Sequence, residues 1–202
     1  VSMTKYIQRE DKVGIIAEFK RQSPSKGIIN GSADIEKVSI GYMQAGASGL
    51  SVLTDKKYFG GKSEDLTTAR SYNFCPILRK DFMIDEYQVV EAKSIGADVI
   101  LLIAACLSPK EIKQLARCAK SFGMQVLLEV HNEDELNTSL TEEIDLLGVN
   151  NRNLGTFVTD VNTSRDLAEK IPDQFVKVSE SGISDPETII DLMSYGFEGF
   201  LI

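Results

Sequence analysis

Short apolar runs alternate along the chain with longer stretches in which apolar and polar residues mix, and this rhythm predicts strands separated by helices. Eight strand-like runs fall near residues 13–20, 49–55, 76–82, 98–105, 125–130, 146–152, 175–180 and 199–202. The stretches between them carry helix signals. Ser108-Pro109-Lys110-Glu111 reads as an N-cap, a proline at the first helical position and a capping-box glutamate, and Asp185-Pro186-Glu187 repeats the first two devices. Gly46, Gly96, Gly123 and Gly196 each follow a helical stretch and stop it. Strand-helix alternation implies parallel strands joined by right-handed crossovers. An open doubly wound sheet satisfies the same alternation, but it usually shows a glycine fingerprint after its first strand, where this chain has Lys20-Arg21-Gln22-Ser23-Pro24. Eight units favour an α/β fold of the (β/α)8 TIM-barrel type, an all-parallel closed sheet with the chain ending in strand eight.

The polar positions sharpen this picture. Five of the apolar runs stop on a charged or amide residue: on Glu18 and Lys20, on Lys80, on Glu129, on Asn150 to Arg152, and on Glu180 and Ser181. A buried strand has no structural need for such an ending, because an unpaired charge there costs roughly several kcal/mol unless a partner or ligand meets it. Any single example is most simply a strand running out into solvent. Five at the same end of their runs describe an active site, at the end of the barrel where this fold places one.

Composition narrows the chemistry. With 202 residues, 43% of them hydrophobic, and no linker-like stretch, the sequence reads as one domain over 1–202. Val99 to Leu107 is too short to cross a bilayer, and the N-terminal segment with Lys5, Arg9, Glu10 and Asp11 lacks a signal-peptide core, so a soluble cytoplasmic protein is expected. Cys75, Cys106 and Cys118 suggest reduced thiols rather than a disulfide framework or zinc ribbon. His131 is the only histidine, which removes multi-histidine metal sites and leaves acid and base work to Lys and Glu. A net charge of −8 argues against nucleic-acid and anionic-membrane partners, while leaving room for a small anionic substrate at Lys20, Lys80 and Arg152.

Glu18 and Lys20 share strand parity, so both point into the barrel if either does. They could be an ion pair that merely fills the barrel mouth, but Lys80 and Glu129 would then need a separate explanation. Together the four make a pocket able to shift pKa values and suited to proton transfer. Ser23-Pro24-Ser25-Lys26-Gly27 offers hydroxyls and a cation, yet such a stretch also marks an ordinary turn. Ser179-Glu180-Ser181-Gly182-Ile183 follows the seventh strand, where barrels of this kind often grip a phosphate, and the N–H groups of Ser181 and Gly182 are the candidate donors. Tyr58-Phe59-Gly60-Gly61 is expected to carry an aromatic on a mobile loop over the pocket.

With these residues in view the sequence resembles the indole-3-glycerol phosphate synthases of tryptophan biosynthesis over nearly its whole length. The resemblance runs from Ile15-Ile16-Ala17-Glu18-Phe19-Lys20 and Ser23-Pro24-Ser25-Lys26-Gly27, through Leu53-Thr54-Asp55, Tyr58-Phe59-Gly60-Gly61 and Leu78-Arg79-Lys80-Asp81-Phe82, to Leu128-Glu129-Val130-His131, Gly148-Val149-Asn150-Asn151-Arg152-Asn153-Leu154 and Ser179-Glu180-Ser181-Gly182-Ile183. It implies ring closure of 1-(2-carboxyphenylamino)-1-deoxyribulose 5-phosphate with loss of carbon dioxide and water, and no cofactor or metal. It further implies Lys80 as general acid, Glu129 in acid-base work, and Lys20 in the later dehydration, with Glu18 beside them. Asn150 and Glu180 would hold the substrate and the lysines, and Arg152 would face the anthranilate carboxylate. Ser23, Ser181 and Gly182 would contact substrate and phosphate, and Phe59 and Leu101 the aromatic ring. The resemblance also allows fusion to, or association with, other enzymes of that pathway.

Two departures stand against the family pattern. About a dozen residues precede the first strand, where the family carries a longer extension with a helix, and the chain stops within the eighth strand, before a phosphate loop and an eighth helix. An incomplete barrel with a half-built phosphate grip is therefore expected. Rival readings are another phosphosugar barrel such as phosphoribosylanthranilate isomerase, which the Lys80 and Glu129 pair disfavours, and a non-catalytic truncated anion-binding barrel.

Overall fold

The computed structural model describes residues 1–202. In chain order it contains α1 (Met3–Ile7), β1 (Ile15–Phe19), β2 (Gln22–Ser23), β3 (Gly27–Ile28), α2 (Ile35–Gln44), β4 (Gly49–Leu53), α3 (Lys56–Phe59), α4 (Ser63–Tyr72), β5 (Ile77–Lys80) and α5 (Glu86–Ser94). There follow β6 (Val99–Ile103), α6 (Pro109–Ser121), β7 (Gln125–Val130), α7 (Glu133–Ser139), β8 (Leu146–Asn150), α8 (Asn162–Ala168), β9 (Val176–Glu180), α9 (Pro186–Ser194) and β10 (Gly199–Leu201). Eight strands close into a parallel barrel in the order β1-β10-β9-β8-β7-β6-β5-β4, and each overlaps one of the eight runs predicted from the sequence. β2 and β3 form a small antiparallel hairpin just after β1.

The signals that bound the helices work as local chemistry. Ser108 caps α6 within a full capping box with Glu111 and Pro109 in the first turn, and Asp185 caps α9 ahead of Pro186. Gly46, Gly96, Gly123 and Gly196 all adopt the left-handed conformation after their helices.

Strand parity divides the apolar residues between two cores. Outward-facing side chains such as Val126, Leu128 and Val130 pack under the helices, whereas Ile16, Leu78, Leu127 and Val178 fill the barrel interior. Two residues beyond each of these four interior residues lie Glu18, Lys80, Glu129 and Glu180, so the same alternation that fills the barrel carries four charges to its C-terminal mouth. The opposite mouth is closed by α1, whose Met3 and Ile7 join the interior cluster. Gly49 makes that approach feasible, since a Cβ there would lie 2.5 Å from the Met3 sulfur. The short N-terminal segment therefore does carry a helix, which the sequence reading did not anticipate.

Candidate active site

Glu18, Lys20, Lys80, Glu129, Asn150, Arg152 and Ser181 converge on a cavity of about 320 Å³ at the C-terminal mouth. Lys80, at the end of β5, is its electrostatic centre. Its Nζ lies 2.7 Å from Oε2 of Glu180 and 3.3 Å from Oε2 of Glu18. Lys20 pairs with the other oxygen of Glu18, as their shared parity predicts. Burial alone would push the Lys80 pKa down, but Glu18, Glu180 and Glu129 outweigh it and hold the ammonium above its ordinary value. Burial likewise pushes Glu18 up, and Lys80 with Lys20 more than reverses this, leaving the carboxyl at about 2.

Glu129 and Glu180 sit in different environments. Glu129 is buried, which raises its carboxyl, yet His131, Lys80 and Asn150 bring the net shift downward. Asn150 Nδ2 donates to Oε1 of Glu129 at 3.0 Å, and His131 Nε2 lies 3.3 Å from the same atom. Both contacts use one oxygen, Oε1, of a carboxylate that lines the cavity. Glu180 is fully buried, and its Oε1 has no hydrogen-bond partner. Desolvation, opposed by Lys80 and reinforced by Glu129, pushes it up to about 7. Gly148 makes room for this group: a Cβ on it would meet Oε1 of Glu180 at 2.2 Å.

The walls come from strand ends, α3 and loops. Phe59 and Leu101 line the cavity as expected, with Tyr58 beside Phe59, but so do Leu53, Phe82, Ile103, Leu154 and Phe157, which sequence reasoning did not single out. Tyr58 and Phe59 lie not on an irregular loop but in α3, which Asp55 caps by accepting the Tyr58 N–H at 2.6 Å. Phe82 packs edge-on to Tyr58 with ring centroids 5.9 Å apart, so the aromatic wall is shared by α3 and the loop after β5.

Arg152 reaches across the mouth, donating from Nε to Thr159 Oγ1 and from Nη1 to Ser25 Oγ, each at 3.1 Å. It thereby ties the segment after β8 to the β2-β3 hairpin while its side-chain partners are hydroxyls, leaving its charge available to an anion. Ser181 lines the cavity and adopts φ 70°, and Gly182 follows at φ 76°. Asn151, another residue the sequence reading passed over, fixes this turn: its Nδ2 donates to the Ser181 carbonyl at 3.0 Å and to Ser179 Oγ at 3.1 Å. Ser164 completes the network through Asn151 Oδ1 at 2.8 Å.

Three expected residues do not line the cavity. Ser23 is buried in the hairpin, where its hydroxyl accepts the Lys26 N–H at 3.2 Å. Glu180 stands behind Lys80 as its partner, and Gly182 lies one residue beyond the lining Ser181.

A closed parallel barrel with two lysines, three buried carboxylates, an arginine held by hydroxyls and an aromatic wall at its C-terminal mouth is a barrel enzyme of acid-base chemistry. Residues 1–202 match the family described as indole-3-glycerol phosphate synthase, and the chain belongs to that family. The indole-3-glycerol phosphate synthase of Bacteroides thetaiotaomicron is 53% identical over 201 residues, covering 100% of this chain and 76% of that protein. That of Caldanaerobacter subterraneus is 45% identical over 191 residues, covering 95% and 74%. Among solved structures, the N-acetylmannosamine-6-phosphate 2-epimerase from Clostridium perfringens superposes with a TM-score of 0.70 at 13% identity, over 95% of this chain and 86% of that one, a likeness of fold alone. By family the chain is a carbon-carbon lyase of tryptophan biosynthesis rather than an isomerase. No helix is long and apolar enough to cross a membrane.

Proposed function

We propose that the lysine-carboxylate cluster at the mouth of this one barrel domain performs the ring closure of the family, and that the roles divide by environment. The substrate is a phosphosugar joined to anthranilate, 1-(2-carboxyphenylamino)-1-deoxyribulose 5-phosphate, and the product is indole-3-glycerol phosphate. Lys80 donates a proton to the carbonyl oxygen as the ring carbon attacks, and loss of carbon dioxide restores the aromatic ring. The hydroxyl then leaves as water with a proton from Lys20, and Glu129 takes the C–H proton that completes the indole. Two protons enter and one returns, so each turnover consumes one proton, in balance with the carboxylate lost as carbon dioxide.

Charge explains how Lys80 acts as an acid. Three carboxylates hold its proton tightly, and each one neutralised loosens that hold; Glu180, titrating at about 7, is the nearest to neutralisation. Phe59, Phe82, Leu101 and Ile103 take the aromatic ring, Arg152 its carboxylate, and the Ser181-Gly182 turn the phosphate. Three free thiols accord with a reducing, cytoplasmic setting.

The observation that carries this reading is Lys80 held by Glu18 and Glu180 while lining one cavity together with Glu129. Synthetic substrate added to the protein is expected to yield indole fluorescence, and Lys80→Ala and Glu129→Gln are each expected to suppress it. No fluorescence from the folded parent protein would overturn the assignment, and near-normal rates in both folded variants would overturn the division of roles.

A further inference from the structure

A second, outer cavity of about 360 Å³ is lined by His131 and by the exposed residues Asn153, Thr156, Val158 and Asp160, and it shares Asn150 with the substrate pocket. Of the two, His131 lines the outer one alone. Its ring lines the outer cavity, with Nε2 at 3.3 Å from Oε1 of Glu129 and Nδ1 at 3.1 Å from Oε2 of Glu135 on α7. The histidine side chain is only 11% exposed, and Nε2 has no aligned hydrogen bond. Glu135 is firmly placed: it also accepts the His131 main-chain N–H at 2.8 Å and Asn132 Nδ2 at 2.9 Å.

The titratable groups in contact with this imidazole are Glu129 from β7 and Glu135 from α7; Asp160 lines the same cavity, and the Cys106 thiol from the turn after β6 is near enough to Glu129 and Glu135 to feel both. All are anionic or neutral. Burial works against a proton on the ring, but Glu129 and Glu135 more than offset it and favour the imidazolium. A cation so placed favours the ionised form of Glu129 in turn, and it meets Oε1, the oxygen that also accepts from Asn150.

We propose that His131, braced by Glu135, is a positioning residue for the ring closure: it keeps Glu129 ionised and oriented toward the pocket, and the outer cavity is where this pair exchanges protons with solvent. The inference rests on the reading of Glu129 as the acid-base carboxylate. His131 does not line the substrate cavity, and the outer cavity shares only Asn150 with it.

The test compares His131→Ala, Glu135→Gln and Glu129→Gln by kcat, KM and pH profile. His131→Ala is expected to lower kcat about tenfold or more with little change in KM, the pattern of a group that acts through the catalytic carboxylate. Because Glu129 loses its cationic neighbour, the acid limb of the kcat profile moves to higher pH. Added imidazole, entering the space left beside the outer cavity, restores the rate saturably. Glu135→Gln keeps the ring in place and moves the same limb less far, and it carries the test if His131→Ala does not fold. An acid limb that stays put in the folded variants, whatever their rates, overturns the proposal and leaves His131 a packing residue. If Glu129→Gln itself turns over normally, the reading of Glu129 falls and the inference with it; if Glu129→Gln is crippled while the limb stays put, only the inference falls.

Discussion

At the N-terminal end of the barrel Arg70 donates to the carbonyls of Gly96 at 2.9 Å, Asn73 at 3.1 Å and Cys75 at 2.9 Å, and pairs with Asp98, which also accepts the Ile77 N–H at 3.0 Å. At the C-terminal end Lys80 faces three carboxylates, Glu180 keeps one oxygen without a partner, and His131 Nε2 has no aligned bond. Both ends bring charge out of water, but only one satisfies it. A satisfied charge fixes loops and contributes stability; an under-satisfied one keeps its capacity to bind or exchange a proton. The difference separates the end of the barrel that holds the fold together from the end that does chemistry.

The largest expected effect on stability therefore lies away from the pocket. Arg70→Met takes the donor from three carbonyls and the cation from Asp98, and it should cost about 2 kcal/mol, a value kept modest by the partial exposure of the arginine. Denaturant titration measures the loss, and the rate per folded molecule should be unchanged. A fall in that rate at unchanged stability would reverse the assignment of the two ends.

A smaller effect, read against pH, sharpens the account of Glu180. In the folded protein this group holds its proton up to about 7, whereas its ordinary value is 4.5. Between these values the folded state binds more protons than the unfolded one, so the group makes stability fall as pH rises through that window. Glu18 works in the opposite sense: held at about 2, it contributes stability above the ordinary carboxylate range, and this is lost as pH falls toward 2. Melting curves of the parent protein should decline between pH 4.5 and 7, and those of Glu180→Gln should lack that decline. Parallel curves would mean that the unpartnered oxygen carries no such penalty.

The smallest effect concerns recognition. Arg152→Lys keeps the charge but loses the fork that reaches both Thr159 and Ser25. KM should rise about tenfold, the equivalent of one hydrogen bond to a charged group, with kcat changed less. Equal affinity of both proteins for a substrate analogue without the ring carboxylate, set against a clear difference for the parent compound, checks which group Arg152 meets.

Much of this contrast was legible in the sequence because parity is a strict rule. Once Ile16, Leu78, Leu127 and Val178 are taken as interior, Glu18, Lys80, Glu129 and Glu180 must face the same way two residues on. What depends on register between strands was not legible. Glu180 has room only because Gly148 lies on the neighbouring strand, where Asn150 is its paired residue. His131 has the parity of Glu129, yet β7 ends at Val130, and the turn into α7 sends the imidazole to the outer cavity. Five residues of α1 are too few to show a helical period, so the plug formed by Met3 and Ile7 appears only in three dimensions.

The central claim is that Lys80 serves catalysis and not the fold, and one measurement on Lys80→Ala addresses it: the initial rate of indole formation, taken on protein whose melting transition has been recorded in the same buffer. A cooperative transition is expected together with a rate lowered roughly 10² to 10⁴-fold, the range for loss of a general acid. A folded Lys80→Ala protein that closes the ring at nearly the parental rate would contradict it.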